Sequence, residues 1–183
     1  MNSDTPVVES YTDAASLDML RWLIGKRIES YGAEVEVDEG VGAFAGWLKL
    51  SRGWVDVSFD VEVTDFPGFE SFEPLLQVTP SMTERDGDPY PLGAEVTGVT
   101  RIQEQLIQFH RPTDKVDWSW WRDAGLRFSL SDGRELVFHC PSTRTPEVHM
   151  RLGSKVTLPA PVRNTFQSGR LRRFEAYRRE VLL

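Results

Sequence analysis

Between residues 12 and 24 the apolar positions recur at helical spacing. Leu17, Leu20 and Ile24 share one face, Thr12 or Asp13 stands where a cap belongs, and Gly25 stands at the stop. After Gly25 the period changes to two. Ala33, Val35 and Val37 alternate with Glu34, Glu36 and Asp38, which predicts a half-buried strand. A second strand is predicted near Phe44–Leu50. In a third, Val55, Val57, Phe59, Val61 and Val63 point one way and Asp56, Ser58, Asp60 and Glu62 the other. Arg52-Gly53 between the last two suits a hairpin turn.

Prolines and glycines punctuate residues 66–93, where only Leu75–Thr79 reads as a short strand and the segment around Glu84–Asp88 reads as a connecting loop. Residues 101–110 are read as a strand, because Arg111-Pro112 ends the run too early for a helix. Phe128–Leu130 and Leu136–Cys140 flank Asp132-Gly133 as a further hairpin. Over residues 168–182, Leu171, Phe174, Val181 and Leu182 predict a closing helix rich in arginine. A faint internal echo links Arg27-Ile28 to Arg101-Ile102 and Leu50-Ser51-Arg52-Gly53 to Leu130-Ser131-Asp132-Gly133. The expected fold is α+β: mainly antiparallel sheet with an N-terminal and a C-terminal helix. It reads as one compact unit over 1–183, with sub-lobes 1–80 and 95–183 joined by the Pro/Gly-rich loop if the echo is a duplication.

Composition narrows the function more by exclusion than by assignment. The chain has 183 residues, 40% apolar and 27% charged, enough for a packed core. It has no apolar run of membrane-spanning length, and Met1–Pro6 lacks the features of an export signal. Together with a strong preference for arginine over lysine (17 against 4), this sets the expectation of a bacterial cytoplasm. Charge is unevenly spread. Residues 1–100 carry 19 acids and 6 bases, net −13, whereas residues 101–183 carry 9 acids and 15 bases, net +6. The acidic half would repel nucleic acid and attract a basic protein.

Catalytic chemistry finds no footing in the motifs. There is no nucleophile elbow, phosphate loop or dinucleotide fingerprint. The single cysteine, Cys140, falls on the predicted core face beside Leu136 and Phe138. His110, His139 and His149 lack zinc-site spacing, and His139 and Cys140 point to opposite faces, so no metal and no cofactor are expected. The acidic rows are more telling. Asp56, Asp60 and Glu62, with Trp54 on the same parity, and Glu34, Glu36 and Asp38 place like charges on sheet faces, where they repel unless something positive meets them. These seven residues are the candidate partner-binding set.

A small acidic chain with a helix, antiparallel hairpins and no catalytic constellation resembles the immunity proteins of bacterial polymorphic toxin systems. The residues behind the likeness are Gly25-Lys26-Arg27-Ile28, the hairpin Leu130-Ser131-Asp132-Gly133-Arg134 and the acidic strand Val55–Val63. The resemblance implies a non-enzymatic inhibitor that binds a basic partner, such as a cognate toxin domain. Two other readings stand beside it. One is a small-molecule-binding or enzymatic domain with a pocket built from Trp118, Trp120, His110 and His139; the other is a structural subunit of a bacterial or phage assembly.

Overall fold

A computed structural model describes residues 5–33, 45–85, 89–161 and 171–183. In chain order the elements are β1 (Val7–Ser10), α1 (Ala14–Leu23), β2 (Arg27–Ala33), β3 (Ala45–Leu50), β4 (Trp54–Phe66) and β5 (Phe69–Ser81). They continue with β6 (Tyr90–His110), β7 (Lys115–Leu130), β8 (Glu135–His139), β9 (His149–Gly153) and β10 (Arg172–Leu182). The strands form one sheet in the order β5-β4-β3-β2-β6-β7-β8-β9, with β10 beside β6 and β1 beside β7. All pairings are antiparallel except β1 with β7.

The expected helix forms, one turn shorter than its apolar pattern. Asp13 caps it, its carboxylate accepting from Ser16 N at 2.7 Å. Leu20 and Leu23 are buried, but Ile24 has left helical geometry and is 37% exposed, so it does not extend the buried face. Gly25 follows at φ +83°, a left-handed value that favours glycine at a helix end. The row Glu34, Glu36 and Asp38 lies outside the described residues.

Two segments depart from the sequence reading. The first is the stretch rich in proline, which is largely strand. Pro67-Gly68 is the turn of a β4–β5 hairpin, with Gly68 at φ +86° as the third position of a type II turn requires. Pro74 and Pro80 sit inside β5 because β5 is the outermost strand on its side of the sheet, where a missing N–H need not break a ladder. The second is the predicted closing helix, which is strand β10. Strand β6 pairs with β2 only from Tyr90 to Glu95, leaving its far half without a neighbour on that side. Residues Arg172–Leu182 supply that neighbour, register by register from His110 to Thr100. Satisfying this backbone edge outweighs the helix preference of Arg, Glu and Leu, which are good helix formers but contribute only roughly tenths of a kcal/mol per residue. The result is mostly antiparallel sheet, with α1 the helix among the described residues.

The strands curl around a core. Leu20 and Leu23 of α1 meet Ile28, Leu48, Val57, Phe59, Val78, Phe128 and Phe138 there. The curl brings β3 against β8 so tightly that a Cβ on Gly46 would sit 2.4 Å from the Phe138 ring. A second cluster joins Phe66 at the tip of β4 to Leu106, Trp118, Trp120 and Phe174. Trp121 turns to the opposite face, under the Arg179 guanidinium at 4.0 Å. The alternation therefore holds for the tryptophan cluster.

A candidate acidic binding site

The predicted partner-binding row on β4 is present but unevenly available. Trp54 is half-buried, with the Lys49 ammonium 5.8 Å from its ring centre. Asp56 is already neutralised: Arg85 donates from Nε at 2.9 Å and also from Nη2. Asp60 and Glu62 are exposed and make no ion pair among the described residues. The arginines of β10 do not reach them. Arg173 pairs with Asp114 and Glu175, Arg178 with Glu104, and Arg179 donates to Gln103 Oε1 at 2.7 Å.

Beyond Glu62 the hairpin leaves the main core, and its two sides diverge. Val61, Val63 and Phe72 keep the inward parity of Phe59 yet are 46%, 56% and 67% exposed. The reverse side faces β1, where Ser10 Oγ and Thr64 Oγ1 lie 3.3 Å apart and Trp120 Nε1 donates to Ser10 Oγ at 2.9 Å. Between them opens a cleft of about 350 Å³, lined by Val8–Tyr11, Glu62–Asp65, Glu73 and Leu75. Its carboxylates are Glu9, Glu62, Asp65 and Glu73, and among the described residues no lysine, arginine or histidine lines it. At the rim, the Tyr11 hydroxyl donates to Glu9 at 3.4 Å and accepts from Arg179 at 3.3 Å. Burial and the Glu9 charge push this phenol above its ordinary pKa.

Glu73 was absent from the sequence-derived set, and its environment is unusual. It is 1% exposed, and neither carboxylate oxygen has a well-formed hydrogen bond among the described residues. Burial drives its pKa up to about 7, against a smaller downward pull from the Ser71 hydroxyl and from the guanidiniums of Arg122 and Arg144. A usable signal did exist in the sequence. Phe66-Pro67-Gly68-Phe69 is a turn between alternating runs, and a hairpin built on it sets Glu73 directly opposite Glu62.

The alternative pocket does not assemble. Trp118 and Trp120 are 2% and 1% exposed in the aromatic cluster, and His110 sits at the far end of β6, with Nδ1 3.1 Å from Thr113 Oγ1. His139 is buried in a polar network with Glu104, Arg122 and Arg178. Glu104 accepts from His139 at 3.1 Å, Arg122 at 3.0 Å and Arg178 at 2.5 Å. Arg122 also donates to the carbonyls of Cys140 and Ser142 at 2.8 and 2.6 Å. Burial alone would raise the Glu104 carboxyl, but these donors outweigh it and hold it at about 2. Burial keeps the His139 pKa low, so its neutral ring donates from Nε2 to the carboxylate. Asp123 is satisfied in the same manner by Thr12 N, Arg101 and Gln103.

Cys140 is buried as its parity predicts, and burial pushes its thiol pKa up, which leaves it a poor nucleophile. Among the described residues no group of three or more His, Cys, Asp or Glu converges to hold a metal ion. Nor is any described helix long and apolar enough to cross a membrane. No protein-family model, curated protein or solved structure matches this chain, so its function has to be read from its own surface.

Proposed function

We propose that this protein is a non-enzymatic binding protein of the immunity-protein kind, presenting the acidic side of the β4–β5 hairpin to a basic partner such as a toxin domain. The supporting observation is that Asp60 and Glu62 stand exposed without an ion-pair partner among the described residues, while Arg173, Arg178 and Arg179 of β10 are engaged elsewhere. An unmatched acidic row is costly to keep for stability alone, and it raises encounter rates with a positively charged surface. The buried Glu104–Arg122–His139–Arg178 network serves the fold, since its hydrogen bonds are made within the protein.

The test is association kinetics with the basic protein co-purified from the source cell. Replacing Asp60 and Glu62 with lysine should slow association by about tenfold at low salt and flatten its salt dependence. Unaltered rates and an unaltered salt slope would remove this face from the interface. Asp56, held by Arg85, should contribute less than either neighbour.

A small-molecule-binding reading retains one observation in its favour, at residues the sequence did not single out. A second cleft of about 350 Å³ lies across β6, β7 and β10, between Ile107, Phe109, Val116 and Tyr177. An apolar fluorescent probe displaced by mutation of Ile107 but not of Glu62 would favour that reading.

A further inference from the structure

The feature that the acidic row alone does not explain is the cleft beside it. Four carboxylates line it and, among the described residues, no lysine, arginine or histidine does, although Arg179 reaches the Tyr11 hydroxyl at its rim. The Glu73 carboxyl is buried with neither oxygen hydrogen-bonded among the described residues. Buried acceptors are nearly always satisfied, and an exception asks what donor belongs there. A divalent metal needs several converging oxygens, and no such group exists among the described residues. The lining suits something longer. Val8 and Leu75 offer apolar walls, and Ser10 and Thr64 offer hydroxyls. The volume is that of a small-ligand site.

We propose that this cleft binds an organic cation, a primary ammonium or guanidinium on a short apolar stem, with Glu73 as its counter-ion and Glu9, Glu62 and Asp65 around it. The cation has two sources: a free amine, or a lysine or arginine side chain of the basic partner. For the second source the inference rests on the acidic-face reading above, and names the side chain inserted next to that face.

Charge balance around Glu73 sets the pH behaviour. Facing it are Arg122 on β7, Arg144 after β8 and Glu62 across the ladder on β4, with Glu9 on β1 also bordering the cleft. An incoming cation favours the ionised carboxyl, so binding should release a proton near neutral pH and tighten as pH rises from 6 to 8.

The experiment is calorimetry on the full chain with n-butylamine, agmatine and neutral n-butanol, in two buffers of different ionisation enthalpy. Both cations should bind with proton release, and n-butanol should not bind. Glu73→Gln should weaken binding by about tenfold and abolish proton release, with Glu73→Met as a second variant if the amide folds poorly. Glu62→Gln should weaken binding only a fewfold. Absence of heat with either cation up to about 10 mM, or equal binding of n-butanol, overturns the proposal. So does a Glu73→Gln protein that binds as well as the wild type. Tighter binding of a capped Gly-Arg-Gly peptide than of agmatine assigns the site to a partner's side chain, and the reverse assigns it to a free amine. If butylamine binds while lysine at 60 and 62 leaves partner association unchanged, the cleft stands and the acidic-face reading falls.

Discussion

Glu73 and Glu104 are buried to nearly the same degree, 1% and 5% exposed, yet they sit in regions of opposite character. Glu104 lies where β6, β7, β8 and β10 come together, and three cationic or N–H-bearing side chains meet it. Glu73 lies where the β4–β5 hairpin has left the main core, and among the described residues only the Ser71 hydroxyl acts on it as a donor, with no well-formed hydrogen bond to either oxygen. One carboxyl is held at about 2 and the other is pushed to about 7. Burial acts on both in the same direction; the hydrogen-bond donors make the difference. Saturation marks the part of the molecule that holds it together, and the missing donors mark the part with capacity left for a ligand.

The largest effect should come from breaking the saturated side. Arg122→Met strips one donor from Glu104 and from each of the Cys140 and Ser142 carbonyls, with an expected loss of about 3–5 kcal/mol in urea unfolding. A loss below about 1 kcal/mol would mean that Arg178 and His139 suffice without it.

Next comes the pH dependence of stability, which should separate the two glutamates. The folded-state pKa of Glu73 is raised from 4.5 to about 7, so its penalty is absent below 4.5 and grows as pH climbs to 7, reaching about 3 kcal/mol. Glu104 is lowered from 4.5 to about 2, so its contribution is present above 4.5 and is lost as pH falls towards 2. Urea midpoints of the wild type should therefore fall from pH 5 to pH 7.5, and Glu73→Gln should flatten that decline. An identical slope in the variant would show that Glu73 is solvated or paired in solution. The smallest effect belongs to the partly exposed pair on the hairpin: Arg85→Ala should cost about 1 kcal/mol or less while making Asp56 available to a cation.

Local alternation made much of this molecule legible. Parity alone assigned Trp118 and Trp120 to one face and Trp121 to the other, and it put Cys140 inside. Asp13, Gly25 and Asp132-Gly133 marked their boundaries because caps and tight turns depend on a few adjacent residues. What stayed hidden depends on distant neighbours. Whether Arg172–Leu182 coils or extends is decided by the vacant edge of β6, some 70 positions earlier in the chain. Pro74 and Pro80 read as breakers until β5 is known to be outermost. Val61 and Val63 have the parity of core residues, and only the departure of the hairpin from the core explains their exposure. The acidic row was visible as a row, but the neutralisation of Asp56 by Arg85 and the isolation of Glu73 arise from packing across strands.

The pairing of β1 with β7 has a kinetic consequence. Thr12 N bonds Asp123 across 111 residues, and Trp120 bonds Ser10 across 110. Each such closure sacrifices chain entropy before any contact rewards it, so refolding should be slow, on the order of milliseconds to seconds, rather than microseconds. The strand that walls the cleft would then be among the last to dock, and the pocket would exist only once the whole chain has found its register.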